Sequence, residues 1–195
     1  MKPLIIIFLG LTALLLPVRA AMATELEDGR FAYYRKDYDT AIKLLLPAAK
    51  QGNAEAQEKV GEMYIFGLGV NKYCDRGVEW LTRAANQRYV YASHLLGRLY
   101  DDGQCENKDN VKAYMWYTLA ETELPKAAAR DAEYLETYEI AGIKAPEVAK
   151  NWTLINRIAV DRKVLGEAMT PDEIEEAKRL AKAWKPENDD DDDTP

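Results

Sequence analysis

Small and apolar residues along this chain recur at helical spacing, in short stretches separated by turn residues. In Ala54 to Phe66 (AEAQEKVGEMYIF), Ala56, Val60 and Met63 or Tyr64 fall on one side, which predicts an amphipathic helix. Gly67 follows as a helix-ending residue, because glycine tolerates left-handed dihedrals, and Gly69 permits a second tight turn. Asp75 then stands near the start of another helix, where a carboxylate suits the exposed amide groups. That helix, Asp75 to Gln87, offers Gly77, Trp80, Leu81, Ala84 and Ala85 on its inner side. Helical patterning returns over Lys126 to Ala141, and over Pro146 to Gly166 after a break at Gly142 and Pro146. A last helix starts at Thr170, with Pro171 in its first turn and Glu173 placed to complete a capping box. Its apolar face carries Ile174, Ala177, Leu180, Ala181 and Trp184.

These elements repeat with a period of 36 residues: Gly61 maps to Gly97, Tyr64 to Tyr100, Gly67 to Gly103, Trp80 to Trp116 and Ala84 to Ala120. Gly77 maps forward to Ala113 and backward to Ala41, and Ala48-Ala49 to Ala84-Ala85. Small residues thus recur in register with small ones, and aromatics with aromatics, the signature of a repeat architecture. Gly61 sits inside its helix, where glycine costs about 1 kcal/mol against alanine. Close approach of a partner helix is the expected reason.

The two units VGEMYIFGLGV…DRGVEWLTRAANQR and LLGRLYDDGQC…DNVKAYMWYTLA resemble the Sel-1-like repeat, a relative of the tetratricopeptide repeat. An earlier, less typical copy is GRFAYYRKDYDTAIKLLLPAAKQG, Gly29 to Gly52. Gly77 stands for the usual alanine, Arg88 for the closing glycine and Cys105 for the second loop glycine. The resemblance implies an all-α fold, an α/α solenoid of helix pairs closed by C-terminal capping helices. It also implies a protein that binds other proteins and is not an enzyme. The expected organisation is a signal peptide at 1–23, repeats over 24–122, a helical extension and cap over 123–186, and a disordered acidic tail at 187–195.

The N-terminus changes the expected compartment. Lys2 precedes an apolar run of 13 residues from Leu4 to Leu16, Pro17 breaks it, and Ala21-Met22-Ala23 gives a cleavage site. The run is short of the ~20 residues a membrane span needs. Periplasmic or secreted localisation is therefore expected, with no membrane span after cleavage behind Ala23. The net charge of -7 is mainly a tail effect, since Glu187 and Asp189 to Asp193 carry much of it. A nucleic-acid partner is disfavoured, because phosphate binding needs clustered Lys and Arg.

Candidate chemistry is sparse. The chain has one histidine, His94, and one serine, Ser93, without a lysine three residues later. No phosphate-binding loop, zinc set or calcium loop is recognisable, so no catalytic, cofactor or metal residues are assigned. Two cysteines in an exported protein permit one disulfide. Cys74 and Cys105 lie in the equivalent loops of neighbouring repeats, which stack at about 10 Å. A bridge needs Cα atoms at roughly 4.4 to 6.8 Å, and a five-residue offset within the loops can close that gap. A structural bridge between repeats is expected, with free thiols as the alternative.

The concave side of such a stack is lined by the first helix of each pair. Uncommitted positions there are Tyr33, Glu58, Glu62, Tyr91, His94, Arg98 and Asp101, with Tyr34 and Tyr89 beside them. These are the candidate contacts for a protein or peptide partner, because tyrosine and arginine combine area with hydrogen bonding. The competing readings are a structural subunit of an envelope assembly and a hydrolase with an unrecognised site in residues 123–168.

Overall fold

The structure, a computed structural model, describes residues 25–140 and 151–185, with side chains over 25–125 and 157–185. The expected signal peptide and acidic tail lie outside the described residues. Every regular element among the described residues is helical. A first helix, α1, includes residues 25–34. It is followed by α2 (Tyr38–Lys50), α3 (Ala54–Phe66), α4 (Cys74–Asn86), α5 (Val90–Asp102), α6 (Asn110–Ile140), α7 (Asn151–Glu167) and α8 (Pro171–Ala183).

The helix ends follow from local chemistry. Asp37 and Asn53 accept backbone amides three residues on, at the starts of α2 and α3. Gly67 and Gly103 end α3 and α5 in the left-handed conformation, as the repeat register requires. At α8, Thr170 and Glu173 form the reciprocal capping box, with Pro171 in the first turn. α4 begins one residue earlier than the sequence suggests, at Cys74, and Asp75 sits in its first turn. Among the described residues, left-handed positions that carry side chains are Lys36, Arg88 and Cys105. Arg88 occupies the place that Gly52 holds one period earlier.

Consecutive helices pack as α2 on α3, α3 on α4, α4 on α5 and α5 on α6, and α6 supports both α7 and α8. One core joins α1 to α4 through Ala32, Leu45, Ala56, Val60 and Met63, with Trp80 against it. The next joins α3 to α6 through Ile65, Leu81, Leu96, Leu99 and Trp116. Each fully buried Leu or Ile contributes roughly 1.5–3 kcal/mol of transfer free energy. α6 runs unbroken through Pro125, beyond the last repeat match in register. Its first part meets α7 and α8 through Ala113, Tyr114, Leu165, Met169 and Ala177. Trp184 closes the end of the stack against Trp116, ring centroids 5.8 Å apart. Among the described residues, no helix is long and apolar enough to cross a membrane.

Candidate functional site

The first helices of the pairs are joined side to side by polar contacts, in two clusters. The first lies between α1 and α3. Glu58 and Glu62 are four residues apart on α3 and so share one face. The Tyr33 hydroxyl of α1 donates to Glu62 Oε2 at 2.5 Å. Lys59 Nζ lies 3.1 Å from Glu58 Oε2 and 3.9 Å from Glu62 Oε2. The same ammonium stands 4.9 Å from the Tyr33 ring centroid and 5.6 Å from that of Tyr34. Arg30 pairs with Glu27 at 2.7 Å and reaches Glu55 at 3.6 Å.

Electrostatics in this cluster follow from burial. Glu58 is only 5 % exposed. Its carboxyl is pushed up to about 7, because burial outweighs the attraction of Lys59 and Glu62 repels the second negative charge. The Tyr33 phenol is held above its ordinary range by burial first, then by Glu62 and Glu58. It therefore stays a donor. Burial works against the Lys59 ammonium, yet Glu58, Tyr34 and Glu62 together raise its pKa.

The second cluster joins α5 to α7. His94 is buried, and its Nε2 lies 2.8 Å from Asp161 Oδ2. A carboxylate oxygen accepts, which places the imidazole proton on Nε2. Burial lowers the His94 pKa, the Asp161 hydrogen bond and charge oppose the shift, and Arg98 and Arg157 assist it. Tyr117 packs its ring 5.7 Å from that of His94 and donates to Asp101 Oδ2 at 3.3 Å. Arg162 of α7 contacts Glu121 at 2.7 Å and the Tyr114 hydroxyl at 2.9 Å.

The sequence-derived contact residues thus divide. Glu58 and His94 are buried inside these clusters. Tyr33, Glu62, Tyr91 and Asp101 are half-buried, and Arg98 is exposed. Tyr91 packs against Tyr89, centroids 5.3 Å apart. Arg98 makes a long contact, 3.9 Å, to Asp102. Tyr33, Glu58 and Glu62 come together at one end, and His94, Arg98 and Asp101 at the other. Sequence reasoning missed Lys59, although its place between Glu58 and Glu62 is a usable signal. It also missed Asp161, which no repeat register points to. Among the described residues, no group of three or more His, Cys, Asp or Glu is placed to hold a metal.

Cys74 and Cys105 form a disulfide with Cα atoms 5.2 Å apart. It ties the first residue of α4 to the loop after α5, and so joins neighbouring repeats, as the loop register suggests.

Comparison with known proteins gives a consistent picture. The sequence model of the Sel1 repeat matches residues 19–53, 54–89 and 90–122, more than half of the chain. A curated relative, the ERAD-associated E3 ubiquitin-protein ligase component HRD3A of Arabidopsis thaliana, is 31% identical over 88 residues. That match takes in 45% of this chain, and the chain spans 13% of the relative's length. The fold is similar to the crystal structure of a protective antigen from uropathogenic Escherichia coli strains that displays an SLR fold. The TM-score is 0.61 at 20% identity, over 82% of this chain and 29% of that one. A Sel1 repeat protein from Oxalobacter formigenes aligns at 36% identity over 52% of this chain and 80% of its own, with a TM-score of 0.45.

Proposed function

This chain belongs to the Sel1 repeat family, and from that premise we propose that it is an exported adaptor that binds a protein or peptide partner along its first-helix face. Sel1 repeats build protein-interaction scaffolds. The observation that carries the reading is the run of half-buried and exposed polar side chains along α1, α3 and α5: Tyr33, Glu62, Arg98 and Asp101. Tyr33, Glu62 and Asp101 are held by hydrogen bonds, so these three lose little side-chain entropy on contact. Export rests on the N-terminal sequence, with its short positive start, apolar run and A-x-A site. The named relative is a component of a larger ligase assembly, which supports an adaptor role without specifying this chain's partner.

A photo-crosslinking side chain placed at Arg98 should capture one partner in cells, while the same group at Glu79, an exposed position on α4, should not. Combined reversal, Glu62→Lys with Arg98→Glu, should abolish that adduct. An adduct that survives the reversal would remove the first-helix face from the reading. N-terminal sequencing of the mature protein from an envelope fraction should begin at Thr24. A start at Met1 would remove signal cleavage.

A second reading, a subunit seated in an envelope assembly through its C-terminal helices, has one observation in its favour. Val160 and Val164 lie one turn apart on α7 and are 55% and 60% exposed. Crosslinking at Lys163, between them, separates the two readings.

A further inference from the structure

The cluster between α1 and α3 surrounds a cation with acceptors yet leaves one of them, Glu58 Oε2, without a well-directed donor. Two aromatic rings and two carboxylates surround the Lys59 ammonium. Ring faces attract positive charge and carboxylates neutralise it, so this is the chemistry that recognises a cationic side chain. Glu58 Oε2 nevertheless accepts no directed hydrogen bond, although Lys59 Nζ is within ion-pair reach. A buried carboxylate oxygen without a donor is costly and uncommon in folded proteins. The cause is covalent. Lys59 follows Glu58 on the same helix, and successive residues point roughly 100° apart, so its ammonium approaches Glu58 from the side.

We propose that Tyr33, Tyr34, Glu58 and Glu62 form a recognition site for an arginine side chain of a protein partner, occupied in the free protein by the chain's own Lys59. The inference rests on the adaptor reading and names the chemistry its partner must carry. A guanidinium arriving from outside the helix presents two parallel N–H donors to one carboxylate, which an ammonium cannot do. It would give Glu58 Oε2 the donor it lacks. Tyr34 is 43% exposed and forms the open side of the site. Lys59, on a flexible four-carbon stem, exchanges its place for hydration and rotamer freedom.

The test uses N-acetyl-arginine methylamide, titrated into the purified protein and followed by amide NMR shifts. The corresponding lysine and norleucine probes separate guanidinium geometry from charge and from the aliphatic stem. Lys59→Met should bind the arginine probe roughly tenfold more tightly than the wild type, with shifts centred on Tyr33 and Tyr34. Adding Glu58→Gln should remove that gain, and the lysine and norleucine probes should not reproduce it. Equal affinity of Lys59→Met and wild type, a gain that survives Glu58→Gln, or equal binding of the lysine probe would overturn the proposal. Should Lys59→Met lose its helical signal, Tyr34→Leu at its exposed position decides the matter. It should weaken the wild type's binding of the arginine probe roughly threefold, and an unchanged affinity overturns the site. Failure here with an intact Arg98 adduct leaves the adaptor reading standing, whereas loss of that adduct with intact arginine binding removes only the adaptor.

Discussion

The backbones of Gly61 and Gly77 meet directly across the α3–α4 interface. A methyl on Gly61 would stand 3.0 Å from the Gly77 carbonyl oxygen, and one on Gly77 would stand 2.9 Å from the Gly61 carbonyl oxygen. Gly77 is the tighter position, since its methyl would also lie 2.6 Å from Ile65 Cδ1. The isoleucine tip can rotate away, but the facing backbone cannot. Alanine at 77 would gain about 1 kcal/mol of helix propensity, against an overpacking cost of about 1–3 kcal/mol. Gly77→Ala should therefore lower stability by up to roughly 2 kcal/mol on urea unfolding. A higher midpoint would show that the two helices can separate freely.

Cys105 holds a backbone conformation that its side chain opposes. Its φ is 70°, close to the 65° of Gly69 one period earlier. The disulfide to Cys74 spans 31 residues, and a loop of that size contributes about 3–4 kcal/mol on the chain-entropy account. Replacing both cysteines by serine should cost about that much, measured by chemical unfolding without reductant. Cys74→Ser with Cys105→Gly should recover roughly 1 kcal/mol of the loss, because glycine accepts the left-handed backbone. Equal stability of the two double variants would place the whole effect in the cross-link.

The repeat register carried most of the fold. Small residues at 61, 77, 97 and 113 mark close helix approach in the sequence itself, and the loop positions of Cys74 and Cys105 permit the bridge. Equivalent positions keep equivalent neighbours but not the same side chains, since Leu81 beside Gly61 becomes Tyr117 beside Gly97. Gly77 becomes Ala113 one period on, and the space beside Gly97 is taken by the Tyr117 ring, 2.5 Å from where a methyl would be. The buried states of Glu58 and His94 were not legible. His94 is 3% exposed, and its partner Asp161 on α7 lies 67 residues away, outside the period. Glu58 is buried at an i+4 spacing from Glu62 that reads equally well as a solvated acidic face. Period and spacing report which residues share a helix face, but not which side chains a neighbouring helix lays on that face.

Glu58 gives stability an unusual pH slope. Its carboxyl sits at about 7 in the folded protein and near 4.5 when free. A folded value above the unfolded one means the native state holds the proton more tightly. The associated stability is present below about pH 4.5 and is lost as pH rises through about 7. His94 slopes the other way, since its lowered folded value costs stability as pH falls. Comparing Glu58→Gln with the wild type cancels the His94 contribution. The variant's stability relative to wild type should rise by on the order of 2–3 kcal/mol between pH 5 and pH 8. A pH-independent difference between the two proteins would mean that Glu58 is solvated.

The hydrogen bond from His94 to Asp161 is one of the polar ties between the last matched repeat and α7, and its loss should act locally. In a stack of helix pairs each unit depends chiefly on its neighbours. Asp161→Ala leaves the buried imidazole proton without its acceptor, a cost of about 1–3 kcal/mol. Arg162, beside it, still pairs with Glu121 and Tyr114, so α7 should loosen rather than detach. Amide exchange should therefore accelerate roughly five- to 150-fold along residues 157–169. Protection in α3 and α4 should stay unchanged, since their packing is held by Gly61, Gly77 and Leu81 and by the disulfide at Cys74. Uniform acceleration across all helices would show that the stack unfolds as one cooperative unit and that α7 is an integral part of it. No acceleration at all would show that water replaces Asp161 at the imidazole.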